Sequence, residues 1–229
     1  MVQSPVKKYN NLTQRLITGI LGSAAIIAGV CVGEWTYFLI FLIITLFTLL
    51  EFYNLMGLDG LAPQKAYGTF CGVLIFCLSF FIEGQIPING TILSAKYYIL
   101  IFPLISCIYM IKLYKKFERK PFTNIAFTFL GILYVAVPFV LLNVAVFNEG
   151  RYNYHVILGS LLILWASDTG AYFAGTRFGK RKLFERISPK KSWEGFVGGA
   201  LLALVFAIGC GIYLHSLSLQ QWIILSTYQ

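Results

Sequence analysis

Apolar runs of membrane-spanning length recur along the whole 229-residue chain, and few folds can accommodate them. A helix needs about 20 mostly apolar residues to cross the hydrocarbon core. The runs are Leu16 to Val32, Trp35 to Met56, Tyr67 to Ile82, Tyr97 to Ile111, Ile125 to Phe147, Tyr154 to Ala174 and Phe196 to His215, and an eighth begins at Trp222. Gly33 and Glu34 divide the first two, and polar links such as Asn148 to Asn153 separate others. Lipid offers no partner to backbone N–H and C=O groups, so a spanning segment satisfies them internally as a helix. The expected fold is all-α: a polytopic transmembrane helix bundle with seven predicted spans and the start of an eighth. Only 12% of residues are charged, against about 25% in soluble domains, which excludes an ordinary soluble protein. The eighth run stops at Gln229, too short to cross a bilayer, so a truncated chain is expected.

The formal charge of +9 follows from topology and needs no nucleic acid. With the N-terminus in the cytoplasm, the inner segments collect Lys7, Lys8, Arg15, Lys65, Lys112, Lys115, Lys116, Arg119, Lys120, Arg177, Lys180, Arg181, Lys182, Arg186, Lys190 and Lys191. Lys96 and Arg151 alone fall outside, so 16 of the 18 basic residues share one face, as the positive-inside rule asks. The basic N-terminal segment leads into repeated apolar runs, and so reads as the approach to a first anchor rather than a cleaved signal. An integral, multi-pass inner-membrane protein is expected, working on its cytoplasmic side. Its expected parts are a cytoplasmic segment 1–15, N-terminal membrane helices 16–147, and a partial catalytic membrane region 154–229 with a cytoplasmic loop 175–195.

Cys31, Cys71, Cys77, Cys107 and Cys210 lie singly in apolar runs without ligand spacing, and read as helix packing. His155 and His215 fall at span ends on the non-basic side, where interfacial placement is expected.

Against this background the stretch LILWASDTGAYFAG, Leu162 to Gly175, stands out for its carboxylate. An aspartate at a lipid-facing helix centre costs about 2.5–3.5 kcal/mol, so such residues usually face a cavity and mark function. Small and hydroxyl residues surround Asp168: Ser160, Ser167, Thr169, Gly170, Ala171, Ala174 and Gly175. They permit close backbone approach and offer extra ligands to an ion or phosphate. The plainer reading has Asp168 near the interface, neutralised by Arg177. A lone Asp-Thr-Gly in a helix excludes the paired-carboxylate protease reading. Gly175 and Gly179 are spaced one residue too closely for a phosphate loop, and Arg181 stands where that loop has a hydroxyl.

The following loop, GTRFGKRKLFERISPKKSW, holds seven basic residues and one acid, Glu185. A positive-inside loop touching anionic head groups would look similar. SPKKSWEGF adds more. Ser188 before Pro189 predicts a helix N-cap with proline at the first position, and Ser192 before Glu194 predicts a second start. Helix N-termini carry unpaired N–H groups suited to phosphate, and Lys190 and Lys191 reinforce that. Gly195 and Gly199, four apart, predict close helix crossing. A carboxylate on one span and a lysine-rich turn before the next suit phosphoryl or nucleotidyl transfer onto a lipid.

On SDTGAYFAGTRFGK and SPKKSWEG, within Trp165 to Gly195, the sequence resembles the phosphatidate cytidylyltransferases, or CDP-diacylglycerol synthases. The resemblance implies reaction of CTP with phosphatidic acid to CDP-diacylglycerol and pyrophosphate, with Mg2+ as cofactor. It implies Asp168 as a magnesium ligand, with Lys190 and Lys191 neutralising phosphates and Ser188 and Ser192 supplying hydroxyls. Glu194 would orient a lysine or touch the metal shell, and Arg177 and Lys180 would contact the lipid phosphate. Expected partners are CTP, phosphatidic acid and membrane lipids, with no nucleic acid; a homodimer stays open. The family's His-Gly-Gly and Asp-Arg-x-Asp signature, carrying further metal carboxylates, does not occur, so half a catalytic centre, inactive without that segment, is expected. The alternatives are a CTP-dependent lipid kinase of the dolichol kinase type and, with weaker support, a transporter using Asp168 as an ion site. A transporter would show several intramembrane charges or repeated halves.

Overall fold

The structure, a computed structural model, describes residues 9–114, 120–184, 186, 188–214 and 216–227. Lys7, Lys8, Lys115, Lys116, Glu118, Arg119, Glu185, His215, Tyr228 and Gln229 lie outside the described residues. The elements are helices α1 (Tyr9–Val32), α2 (Glu34–Leu58), α3 (Lys65–Glu83), α4 (Ile101–Leu113, led in by a 3-10 turn Ala95–Leu100), α5 (Pro121–Gly131), α6 (Val137–Val146), α7 (His155–Phe178), α8 (Trp193–Tyr213) and α9 (Leu219–Thr227). Short antiparallel pairs join some of them: β1 (Pro87–Ile88) with β2 (Thr91–Ile92), β3 (Phe147–Asn148) with β4 (Arg151–Tyr152), and β5 (Lys182–Phe184) with β6 (Ser188–Ser192).

Among the described residues, six helical stretches are long and apolar enough to cross a membrane: Glu34–Leu58, Lys65–Glu83, Ala95–Leu113, Pro121–Val146, His155–Phe178 and Trp193–Tyr213. The protein is a polytopic helical membrane protein. The expected first span also lies in a helix, α1, but its apolar part Ile17–Val32 rises only about 24 Å at 1.5 Å per residue, short of the core thickness. The start of the eighth expected run lies in α9. Large apolar side chains such as Phe47, Phe102, Tyr134 and Leu201 are exposed, as lipid-facing helices require.

The chain forms two compact units, Met1–Tyr152 and Asn153–Gln229. The first has a core of Leu49, Tyr53, Cys71, Ile75, Ile108, Ile125, Ile132, Val135 and Ala136. Polar side chains staple its helices. Asn143, fully buried, accepts from Tyr37 Oη at 2.8 Å and donates to Ser79 Oγ at 2.6 Å and Phe76 O at 3.1 Å. Tyr53 Oη donates to Thr128 O at 2.8 Å, in space that Gly68 and Gly131 leave open. Between α5 and α6 the helix widens into a π turn, Ile132–Ala136, just before Pro138, whose missing N–H makes a regular helix untenable there.

The second unit is built on the α7–α8 pair, which is glycine-spaced. A Cβ on Gly195 would lie 3.0 Å from Ala171 O, one on Gly199 2.9 Å from Ser167 O, and one on Gly170 2.5 Å from Gly198 O. The expected close crossing at Gly195 and Gly199 is therefore present, extended by Gly170 and Gly198. α9 packs back on this pair through Trp222, fully buried with Ile163, Ala203, Ala207 and Cys210. Cys71 and Cys210 are buried packing residues as expected; Cys31 and Cys107 are exposed on helix surfaces instead. His155 opens α7, with its ring nitrogen 2.8 Å from Asn153 Oδ1.

Two local expectations are corrected. α7 runs on to Phe178, a turn beyond Ala174, so Arg177 is helical. Ser188 and Pro189 start no helix: Ser188–Ser192 is strand β6, paired with β5 in the register Lys182↔Ser192 and Phe184↔Ser188 with an irregularity between. A two-stranded hairpin has free edges, so a proline is tolerated where no ladder donor is needed. The second expected start is the real one.

Candidate active site

Asp168 lies ten residues before the C-terminal residue of α7, about 15 Å along its axis. It projects into a pocket of about 620 Å³ wholly within the second unit, a volume typical of small-ligand sites. α7 supplies Ser167, Asp168, Ala171, Tyr172 and Gly175. The β5–β6 hairpin adds Leu183, Ser188, Lys190, Lys191 and Ser192, α8 adds Gly195, Phe196, Gly199 and Ala200, and α9 adds Ser226 and Thr227. The residues separated by the loop in sequence thus share one cavity: the acid with both lysines and both serines.

Backbone close approach makes this possible. Glycines at 195 and 199 let α8 lie against the Ser167–Gly175 face of α7, and the pocket opens along that seam. Ser192 caps α8, its Oγ accepting from Gly195 N at 3.2 Å. That bond leaves the Ser192 hydroxyl proton able to donate to a ligand. Glu194 holds the hairpin to the helix start. Its carboxylate accepts from Lys180 N at 3.1 Å and from Arg181 N at 3.2 and 3.3 Å, while Trp193 N donates to Arg181 O at 3.0 Å. These bonds tie the end of the strand bearing Lys190 and Lys191 to the segment that leads into β5.

Of the expected site residues, Asp168, Ser188, Lys190, Lys191 and Ser192 line the pocket. Lys180, Glu194 and Arg177 do not. Glu194 spends its carboxylate on backbone N–H groups, and Arg177 lines a different groove on α7. Asp168 and Arg177 are nine positions apart, two and a half turns, so they point to opposite sides of the helix and the neutralised-pair reading fails. Ser160 and Thr169 donate to Val156 O and Trp165 O of their own helix and lie outside the pocket.

Tyr172, Ser226 and Thr227 are lining residues that the motifs did not single out. Tyr172 and Gly175 follow Asp168 at i+4 and i+7, a helical signal readable in the sequence. Ser226 and Thr227 reach the site through the folding back of α9, which no local pattern encodes.

As a metal site, Asp168 offers one carboxylate beside the hydroxyls of Ser167, Ser188 and Ser192. Among the described residues no three His, Cys, Asp or Glu side chains cluster. That donor set suits Mg2+ in the mode where one or two carboxylates, water and substrate phosphates complete the shell. It does not suit an all-protein cage.

The model of the cytidylyltransferase family matches residues 13–228, nearly the whole chain. The chain belongs to the cytidylyltransferase family. This cytidylyltransferase is similar to the phosphatidate cytidylyltransferase of Haemophilus influenzae, 29% identical over 218 residues that cover 89% of this chain and 73% of that protein. The Bacillus subtilis phosphatidate cytidylyltransferase is 30% identical over 199 residues, covering 86% of this chain and 70% of its own. A Staphylococcus aureus phosphatidate cytidylyltransferase is 37% identical over 109 residues, 47% of this chain and 40% of that protein.

Proposed function

We propose that this cytidylyltransferase makes CDP-diacylglycerol from CTP and phosphatidic acid, releasing pyrophosphate, from the cytoplasmic side of the inner membrane. The observation that carries the reading is one pocket lined both by Asp168 of α7 and by Lys190 and Lys191 of the β5–β6 hairpin. Relatives named phosphatidate cytidylyltransferase over most of the chain support the substrate pair.

The reaction joins a phosphatidate phosphate oxygen to the α-phosphorus of CTP and breaks the bond from that phosphorus to the oxygen bridging the α- and β-phosphates. Pyrophosphate leaves with the bonding electrons. Such a transfer asks the protein for positioning and charge neutralisation rather than covalent chemistry. Asp168 would hold Mg2+, which would supply positive charge to offset that of the phosphates. Lys190 and Lys191 bind the triphosphate and lipid phosphate, offsetting the negative charge brought together when two anionic substrates meet. Ser188 and Ser192 donate to phosphate oxygens, which have no donors of their own.

The experiment is product identification. Membranes containing the protein are given CTP labelled at the α-phosphate together with phosphatidic acid, and lipids are resolved chromatographically. Label in CDP-diacylglycerol with pyrophosphate in solution supports the reading. Phosphorylated lipid with labelled CDP in solution selects the lipid-kinase alternative.

A further inference from the structure

The face of α7 turned away from Asp168 carries a second concavity. Phe173, Arg177 and Phe178 of α7 and Leu201, Leu202 and Val205 of α8 line a groove of about 630 Å³, floored by Gly170 and Gly198. Its lining is aliphatic and aromatic along its length, with Phe173, Leu201 and Val205 each more than 60% exposed. At its end in the last turn of α7 stands Arg177, exposed. Among the described residues Arg177 makes no ion pair; its guanidinium carbon lies 6.0 Å from the Phe178 ring centroid. The neighbouring Thr176 hydroxyl donates to Tyr172 O at 2.8 Å. The groove therefore has one cationic end and an apolar run leading from it toward the middle of both helices.

That order matches a phospholipid: an anionic phosphate at the interface and hydrocarbon below it. Guanidinium is suited to phosphate because its planar donors engage two oxygens together. The glycine floor deepens the groove, since a side chain at Gly198 would run into Ala174 Cβ. We propose that this groove seats one anionic phospholipid, its phosphate on Arg177 and an acyl chain along Leu201, Leu202 and Val205, distinct from the reaction pocket. The seated lipid lies against the α7–α8 pair from the side opposite Asp168. It would couple the anionic lipid content of the bilayer to the packing of the seam on which the pocket is built.

Native mass spectrometry of the full chain, purified in mild detergent without CTP or magnesium, tests this. Dioleoyl phosphatidylglycerol and dioleoyl phosphatidylcholine are offered at equal concentration. The wild type retains phosphatidylglycerol in preference. Arg177→Gln lowers that retention about fivefold, the factor corresponding to about 1 kcal/mol for one basic residue at an anionic surface. Arg177→Lys keeps most of it, and Val205→Trp, which fills the groove, loses it. Lys191→Ala, on the other face, retains it as wild type does. Arg177 and Val205 are exposed, so these exchanges leave the core intact, and size-exclusion profiles check that. Wild-type retention in Arg177→Gln overturns the proposal, as does an equal loss in Lys191→Ala. A two-chain mass that Val205→Trp converts to one, with phosphatidylglycerol unchanged in every variant, overturns it in favour of a second copy of the chain on this face.

Discussion

At Asp168 a carboxylate is placed on a helix otherwise suited to lipid, and the structure answers its cost with a pocket shared with Lys190, Lys191, Ser188 and Ser192. Asp168→Asn keeps the shape and removes the charge; CDP-diacylglycerol formation should fall on the order of 100-fold, as the loss of several kcal/mol of charge stabilisation implies. Lys191→Ala should raise the KM for CTP, and Lys191→Arg should recover part of the loss. Steady-state assays in mixed micelles read both. In the first unit, Tyr37→Phe strands the buried Asn143 Oδ1, and should cost about 1 kcal/mol in a denaturation series, near the range for hydrogen bonds between membrane helices. The acid, the lysines and the serines were legible in the sequence because charge inside an apolar run has few uses. The separation of Arg177 from Asp168 was legible too, from the helical period. The expected span ended at Ala174, where the apolar run ends, but α7 continues to Phe178.

Among the elements, the β5–β6 hairpin is the least predictable from sequence and the most consequential for the site. Ser-Pro after a basic run satisfies the rules for a helix start, and local rules favoured one. The competing pattern is Ser188, Lys190 and Ser192 alternating along a strand whose partner, Lys182–Phe184, is identified only by pairing. Glu194 clasps the base of that hairpin, so it acts as a positioning residue. Glu194→Ala should reduce kcat/KM by about tenfold, comparable with loss of an outer-shell partner, while Glu194→Gln, which keeps an acceptor oxygen, should lose less. Purified variants compared at several CTP concentrations separate the two. The glycine seam can be tested alone: Gly170→Leu forces a side chain onto Gly198 O and Leu202, and should lower the midpoint of thermal aggregation as overpacking by about 1–3 kcal/mol does.

For the whole molecule, hydropathy made the helical class plain, because lipid leaves the backbone little choice. What it could not give is which helices meet, since the pairing of α7 with α8 and α9 rests on small residues and one buried tryptophan. The sidedness proposed from the charge pattern can be checked independently. In a cysteine-free background, Asn89→Cys in the turn between β1 and β2 should react with a membrane-impermeant maleimide in intact cells. Lys182→Cys should react only after lysis; labelling in the reverse order would invert the orientation. The most direct measurement remains the magnesium dependence of turnover in wild type and Asp168→Asn with CTP and phosphatidic acid saturating. Wild-type turnover that rises with magnesium, and an Asp168→Asn protein that is nearly inactive and regains little at high magnesium, is the expected pair of curves. Superimposable curves would contradict a metal–triphosphate complex held at that carboxylate.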